Sequence, residues 1–227
     1  GILIYINFAI FEPPALWYWS VPSGNYARII AIAALVGWGF HGFGNWDLRR
    51  AWLPTGMILA FLFWCMASTV FAAVPPIGWA FVNRFLKILL PLLAGLTLIN
   101  SLRDLKALAR VLVYSQGYLA YEFNLSYYEG FNRVYEAGFA GMDNNAIAIA
   151  MATGVGLSFF LGLHERAIWL KVPAFLAAAL EAHVIMFSFS RGGMLALIVV
   201  GVVAFLLVPK RPIHVLIFVL AVMLGFR

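Results

Sequence analysis

The sequence predicts an all-α, polytopic transmembrane protein, and three properties lead to that fold class. Of the 227 residues, 64% are hydrophobic and only 11% are charged, whereas a soluble domain carries about 25% charged residues. The hydrophobic residues form long runs separated by Pro, Gly or polar residues, and a membrane span needs about 20 apolar residues. The 20 Phe, 9 Tyr and 8 Trp suit the aromatic belts of membrane interfaces. This composition excludes an ordinary soluble enzyme, a nucleic-acid-binding domain and a disordered chain.

We expect the hydrophobic runs to form about nine spans of a single transmembrane domain over residues 1–227. They cover residues 2–11, 26–41, 52–73, 80–100, 106–123, 144–163, 171–188, 193–208 and 213–226. The first and last runs are too short for a full span, and position 1 is Gly rather than Met. We therefore expect the chain to be the N-terminal part of a longer protein. The single cysteine, Cys65, excludes an internal disulfide framework.

The basic residues predict a cytoplasmic N-terminus. With that orientation, nine of the 15 Lys and Arg residues fall on the cytoplasmic side, as the positive-inside rule requires. The other six are Arg28, Arg84, Lys87, Arg133, Arg191 and Arg227. A charge at the bilayer centre costs about 2.5–3.5 kcal/mol on insertion scales. Cations near the outer mouths of helices are therefore candidate ligands for an anionic group.

Arg84 and Lys87 are the first such candidates. They lie three residues apart near the outer end of the fourth expected span, and this spacing places them on one helix face. Either they bind an anionic substrate or they extend to lipid phosphates at the interface.

Arg191 is the second candidate, in the sequence FSFSRGGMLAL between the seventh and eighth spans. Two serines precede it, and Gly192 and Gly193 follow. Glycines allow a tight bend and close approach of a ligand to the backbone, and the next helix begins with free N–H groups directed at the same place. An Arg beside a helix N-terminus is suited to bind a diphosphate or a carboxylate. The alternative is a plain turn with an interfacial Arg.

An aromatic and acidic segment occupies about residues 122–143 on the expected outer side. Aromatic faces with nearby carboxylates and amides are typical of sugar binding, because C–H groups stack and hydroxyls form hydrogen bonds. An interfacial aromatic belt would explain the tyrosines but not the four acids. Asp143 also precedes an apolar run, as an N-cap residue does. The candidate glycan-binding residues are Tyr128, Arg133, Tyr135, Glu136, Asp143 and Asn144.

Glu181 and His183 lie inside the seventh span, where ionisable residues suggest a function. They are two residues apart and so point to different sides of the helix. Glu181 is expected to be a buried polar residue with a partner on another span, and a proton carrier is the alternative. No His, Cys, Asp or Glu spacing in the sequence indicates a metal site, and we propose no metal or other cofactor.

Two stretches carry a resemblance to a known family. SYYEGFNRVYEAGFAGMDNNAIAIAM, followed some forty residues later by FSFSRGGMLAL, resembles the O-antigen ligase and O-antigen polymerase superfamily. More narrowly, the chain is similar to the O-glycosylation ligases associated with exosortase systems. The opening GILIYINFAIFEPPALWYW also fits that subgroup. The resemblance extends over most of the chain, but only the DNN and SRGG regions are specific.

The resemblance implies a GT-C-like glycosyltransferase of the bacterial inner membrane. Such an enzyme transfers a glycan from an undecaprenyl-diphosphate carrier to a periplasmic acceptor without a metal. Arg191 matches the family's SRG arginine, which holds the donor diphosphate, and Lys87 and Arg84 match its basic residues more loosely. The family's favoured general base is a His in a large periplasmic loop later in the chain, and that loop is absent from this sequence.

Three functions remain open from the sequence. The first is the lipid-linked glycan ligase or the closely related polymerase. The second is a transporter of a lipid-linked glycan, although no inverted repeat is visible. The third is a non-catalytic subunit of a larger membrane assembly. Membrane lipids are expected partners in each case, and nucleic acid is not.

Overall fold

The computed structural model describes residues 1–208, and within them the protein is 79% helical and has no strand. The all-α class is therefore confirmed for the described residues. The long helices are α1 (Ile2–Phe11), α3 (Tyr26–Phe40), α4 (Trp52–Val70), α5 (Pro75–Leu98), α6 (Leu102–Tyr128), α8 (Asn144–His164), α9 (Ile168–Phe187) and α10 (Arg191–Leu207). Two short helices, α2 (Pro13–Leu16) and α7 (Arg133–Glu136), and a 3₁₀ turn at Arg49–Ala51 complete the order.

Four helices are long and apolar enough to cross a membrane, namely α4, α5, α8 and α9. Helices α1, α3 and α10 are apolar but shorter, with 10, 15 and 17 residues. Eight of the nine predicted runs thus coincide with helices, and half of those helices meet the length and hydropathy of a span. The ninth predicted run, residues 213–226, lies outside the described residues.

The two helix boundaries that differ most from the prediction, by five residues each, do so for physical reasons. Helix α5 begins at Pro75, five residues early, because Pro is well suited to the first turn of a helix. Helix α6 continues through the polar residues after position 123 and ends at Tyr128. The predicted span missed this extension because it was drawn from hydropathy, which measures the length of an apolar run. Polar residues can continue a helix beyond the end of such a run.

The chain divides into two compact units, and residues 1–9 and 23–108 form the first. Its core contains Trp38 from α3 and Leu89, Leu93 and Ala94 from α5. The indole Nε1 of Trp38 donates a hydrogen bond of 2.8 Å to the hydroxyl of Thr97. The polar atom of the largest core side chain in this unit is therefore satisfied, as burial requires.

The second unit contains residues 10–22 and the described residues from 109 onward. Its core includes Phe123 of α6, Met151 of α8 and Ile185 of α9. Helices α6 and α9 run parallel, because Arg110 binds Glu165 near their beginnings and Asn124 binds the Leu180 carbonyl further along both. Helix α8, which lies between α6 and α9 in the sequence, runs antiparallel to them and packs closely on α9.

The two ends of the second unit differ in character. At one end, the guanidinium of Arg110 binds the nearly buried carboxylate of Glu165 through two hydrogen bonds of 2.7 and 3.0 Å. The other end carries residues 129–143 and the α9–α10 turn at residues 188–190. We call it the turn end, and it contains most of the polar residues that the sequence singled out.

Candidate functional site at the turn end

The α9–α10 turn presents Arg191 as the first residue of α10. Ser190 caps this helix, since its hydroxyl accepts a hydrogen bond of 3.1 Å from the Gly193 N–H. Ser190 is 1% exposed, whereas the Arg191 side chain is exposed and has no partner among residues 1–208. The helix therefore begins two residues before the predicted span at 193–208, and Arg191 lies at its N-terminus as expected. A permanently charged guanidinium beside a helix N-terminus can bind an anion with two oxygens.

Hydrogen bonds fasten this turn to the start of α8. The Asn144 side-chain amide donates to the Ser188 carbonyl at 2.9 Å, and the Ser190 hydroxyl donates to the Asn145 side-chain oxygen at 2.8 Å. The DNN and SRGG motifs, which carry the family resemblance, are therefore in direct contact. The bonded residues are 44 and 45 positions apart in the sequence. The position of Arg191 is therefore set by α8 as well as by its own turn.

The bend itself is made by Phe189, and the glycines have another role. Phe189 has a φ of 55°, in the left-handed region that non-glycine residues rarely adopt. Gly192 and Gly193 lie in the first turn of α10. A Cβ added to Gly193 would come within 2.5 Å of the Ala148 methyl group. The prediction that the glycines form the bend was thus wrong, because Gly193 is needed where α10 packs closely on α8.

The acidic candidates hold backbone groups at this end. Asp143 is the N-cap of α8, and its carboxylate accepts a hydrogen bond of 2.8 Å from the Ala146 N–H. That predicted role is confirmed. The Glu136 carboxylate accepts from the Asn132 N–H at 3.3 Å. Both carboxylates belong to exposed residues, so oxygens not used in these contacts remain open to a ligand.

Arg133, another predicted glycan ligand, is engaged within the protein. Its guanidinium donates hydrogen bonds to the backbone carbonyls of Ala15 and Leu16. It also lies 5.7 Å from the ring centre of Tyr18 and 5.5 Å from that of Phe139. Arg133 thus anchors the segment that contains α2 to the turn end. This contact could not be predicted from local sequence, because the partners are more than 110 residues away.

Aromatic rings surround His183 near the C-terminal end of α9. The ring of Tyr128 stacks on its imidazole at 5.8 Å with an angle of 11° between the planes. Tyr127 and Phe187 meet the imidazole edge-on at 5.9 and 5.3 Å. Tyr128 is 75% exposed, so that it offers a free face at this end. Tyr135, 58% exposed, forms an edge contact of 5.3 Å with Phe189.

Glu181 and His183 point to different neighbouring helices, as their spacing predicted. Glu181 is fully buried and accepts a hydrogen bond of 3.0 Å from Ser158 on α8. No cation pairs with it among the described residues. Its Oε1 is the one fully buried side-chain nitrogen or oxygen atom among them without a hydrogen-bond partner. His183 contacts Asn124 on α6 at 2.5 Å. Sequence reasoning missed Asn124, although an amide between apolar turns of a helix is a signal that could have found it.

Arg84 and Lys87 belong to the first unit. They are the tenth and thirteenth residues of the 24-residue helix α5 and are therefore near its middle, not near its end as predicted. The earlier start of α5 at Pro75 accounts for the difference. Both side chains are exposed, and the Arg84 guanidinium lies 5.7 Å from the ring centre of Phe81. Among residues 1–208, no three His, Cys, Asp or Glu side chains are grouped to hold a metal ion.

Comparison with known proteins gives a family and no function. No curated protein and no solved structure matches the chain. Residues 1–124 match a family of unknown function, DUF5935. The match covers the first unit, residues 10–22 of the second unit and α6 as far as Asn124, and it includes no residue of α8 or of the α9–α10 turn. Because the matched residues make up more than half of the chain, the protein belongs to the DUF5935 family.

Proposed function

We propose that the protein is a polytopic glycan ligase of the bacterial inner membrane. It would transfer a glycan from an undecaprenyl-diphosphate carrier to a periplasmic acceptor by glycosyl transfer without a metal. The observation that carries the proposal is the pair of hydrogen bonds from Asn144 to the Ser188 carbonyl and from Ser190 to Asn145. They unite the two specific motifs in one site and leave the Arg191 guanidinium exposed at a helix N-terminus.

The chemistry of the leaving group fits this site. A lipid diphosphate carries about two negative charges, and charge develops on the leaving oxygen as the glycosidic bond breaks. A planar guanidinium binds two phosphate oxygens at once, and the N–H groups at the start of α10 favour the same charge. Preorganised donors of this kind are the commonest large contribution to catalysis. Binding of the donor diphosphate by Lys87 and Arg84 stays a prediction from the sequence.

The sugar part of the donor would lie on the exposed aromatic and polar groups of the turn end. Tyr128 and Tyr135 offer open ring faces for C–H stacking. Glu136, Asp143 and Asn144 offer side-chain atoms that can accept hydrogen bonds from hydroxyls. In this proposal the turn end faces the periplasm, the N-terminus is cytoplasmic, and the lipid tail lies along the apolar helices.

The test is a transfer assay with the full-length protein in proteoliposomes. The donor is undecaprenyl-diphosphate glycan extracted from the native host, the acceptor is cell-envelope material, and EDTA is present or absent. We expect transfer that is insensitive to EDTA. Arg191→Ala and Arg191→Lys should each lower the rate about 100-fold, because removal of one transition-state donor typically costs that much. Arg166→Ala is the control, since Arg166 is an exposed Arg near the opposite end of the second unit.

Each alternative gives a different result. Transfer that survives both Arg191 variants would reduce the SRGG sequence to a structural turn and overturn the donor site. Movement of the lipid-linked glycan across the bilayer without transfer would indicate a transporter. Elongation of one lipid-linked glycan by another would indicate a polymerase. An inactive wild type that purifies within a larger assembly would indicate a structural subunit.

A further inference from the structure

We propose that His183 is a proton-accepting residue of the turn end, with Asn124 holding its proton on Nδ1 so that Nε2 offers a lone pair to a ligand hydroxyl. The identity of that hydroxyl, the glycan acceptor, rests on the proposed function. The position of the proton on the imidazole does not rest on the proposed function, because it follows from the contact between Asn124 of α6 and His183 of α9.

Asn124 fixes the direction of its contact with His183. Its side-chain nitrogen donates to the Ala120 carbonyl at 2.7 Å and to the Leu180 carbonyl at 3.1 Å. With both hydrogens of the amide used in this way, the side-chain oxygen faces His183 Nδ1 at 2.5 Å. An amide oxygen can only accept a hydrogen bond, so Nδ1 must carry the proton. In the neutral imidazole, Nε2 is then the unprotonated nitrogen.

Nε2 is open to a ligand. It has no hydrogen-bond partner among the described residues. Of their fully buried side-chain nitrogen and oxygen atoms, only Glu181 Oε1 lacks a partner, so Nε2 is not fully buried. Its ring is held in place by the stacked Tyr128 and by the edges of Tyr127 and Phe187. An oriented imidazole with a free lone pair meets the geometric requirements of a general base.

His183 belongs to the same end of the unit as Arg191. Phe187 follows it one helical turn later, roughly 6 Å along the axis of α9, and the α9–α10 turn begins directly after Phe187. The ring of Tyr127 stacks on that of Phe187 at 4.4 Å, and the Phe187 carbonyl accepts a hydrogen bond of 2.7 Å from Asn132. A base at His183 and an anion site at Arg191 are therefore parts of one connected structure.

The reaction step balances with these groups. The acceptor hydroxyl oxygen bonds to the anomeric carbon of the donor sugar, and its proton moves to His183 Nε2. The bond between that carbon and the phosphate oxygen breaks, and its electron pair leaves with the lipid diphosphate. The proton then returns to the diphosphate or to solvent. The family resemblance implied a base in a later loop, whereas this geometry assigns one within the present chain.

The first experiment measures the imidazole directly. The full-length protein with ¹⁵N-labelled histidine is placed in lipid nanodiscs, and the ring nitrogens of His183 are assigned by comparison with the His183→Phe variant. We expect a protonated Nδ1 and an unprotonated Nε2. Asn124→Leu, which removes the acceptor, should give a mixture of tautomers. A protonated Nε2 with a bare Nδ1 in the wild type would overturn the inference.

The second experiment uses the transfer assay described above. His183→Phe keeps an aromatic ring between Tyr128 and Phe187, and we expect it to lower kcat about 100-fold with the KM for the lipid-linked donor within twofold of wild type. Asn124→Leu should also lower kcat while leaving that KM unchanged, as expected of a positioning residue. His164→Phe is the matched control and should stay within threefold, because His164 is an exposed histidine at the end of α8 opposite the turn end.

The outcomes separate the two proposals. A His183→Phe protein with kcat within threefold of wild type would overturn the role of His183 while the ligase activity stands. A wild type without transfer would overturn the proposed function, and the tautomer measurement alone would then decide whether His183 offers a free Nε2.

Discussion

Substituting Gly193 by Ala should destabilise the protein, whereas the same substitution at Gly192 should not. A Cβ at Gly193 would lie 2.5 Å from the Ala148 Cβ and 3.3 Å from Ile185 Cγ2. Ordinary carbon contacts begin near 3.4 Å, so α10 and α8 must separate by about 1 Å. The Ala148 methyl group has no rotamer that would relieve the contact. At Gly192 the nearest atom is the Ser190 hydroxyl oxygen at 3.9 Å, which is an ordinary contact.

The magnitude follows from two opposing effects. Overpacking in a close contact costs about 1–3 kcal/mol, and replacing Gly by Ala in a helix gains up to about 1 kcal/mol. Gly193→Ala should therefore lower the free energy of unfolding by about 1–2 kcal/mol. Gly192→Ala should leave it unchanged or raise it by up to about 1 kcal/mol. The two variants have identical composition, so the comparison cancels any effect of hydropathy.

The assay is reversible unfolding of the full-length protein in detergent micelles, followed by Trp fluorescence. The transfer assay should show the same order, because separation of α10 from α8 would disturb the hydrogen bond of Ser190 to Asn145 and so move Arg191. Equal stability of the two variants would refute the close packing of α10 on α8. A less stable Gly192→Ala would refute the assignment of which glycine faces α8.

Three further predictions use the same unfolding measurement. Glu181→Gln should change the free energy of unfolding by less than about 1 kcal/mol, because an amide can still accept from Ser158, whereas Glu181→Ala should cost about 2–3 kcal/mol through the cavity it leaves; equal losses would contradict this. Trp38→Phe should cost about 1–2 kcal/mol through the lost hydrogen bond to Thr97 and the lost volume, and a neutral result would exclude that bond. Arg133→Lys should cost about 1–2 kcal/mol, because an ammonium lacks the planar fork of the guanidinium; a protein as stable as wild type would show that the charge alone suffices.

The helices were largely predictable because hydropathy and helix boundaries are local properties. The cap at Asp143 was predicted from its position before an apolar run, whereas the cap at Ser190 was not predicted, because the expected span began at residue 193. The structure has both caps. Boundaries were missed where helix formation and apolar length diverge, as at Pro75 and after residue 123. Four of the predicted spans are too short or too polar to meet the requirements of a span within the described residues.

The candidate site was predictable in its residue types and not in its contacts. The sequence singled out Arg133, Glu181 and His183 because a charged or ionisable group in an apolar chain is conspicuous. It could not assign Arg133 to the carbonyls of Ala15 and Leu16, because a side chain's partner across more than 110 residues depends on how helices pack.

By itself, the sequence determined that this is an all-α chain with apolar helices, that α8 begins after the capping residue Asp143, and that an Arg lies beside the N-terminus of α10. These are consequences of short-range energetics, namely hydropathy, helix propensity and capping. Only the tertiary structure decided that the DNN and SRGG motifs meet, that Gly193 serves packing while Phe189 makes the bend, and that Asn124 orients His183. Each of these depends on which faces of α6, α8, α9 and α10 are buried together, and burial is a property of the assembled helices.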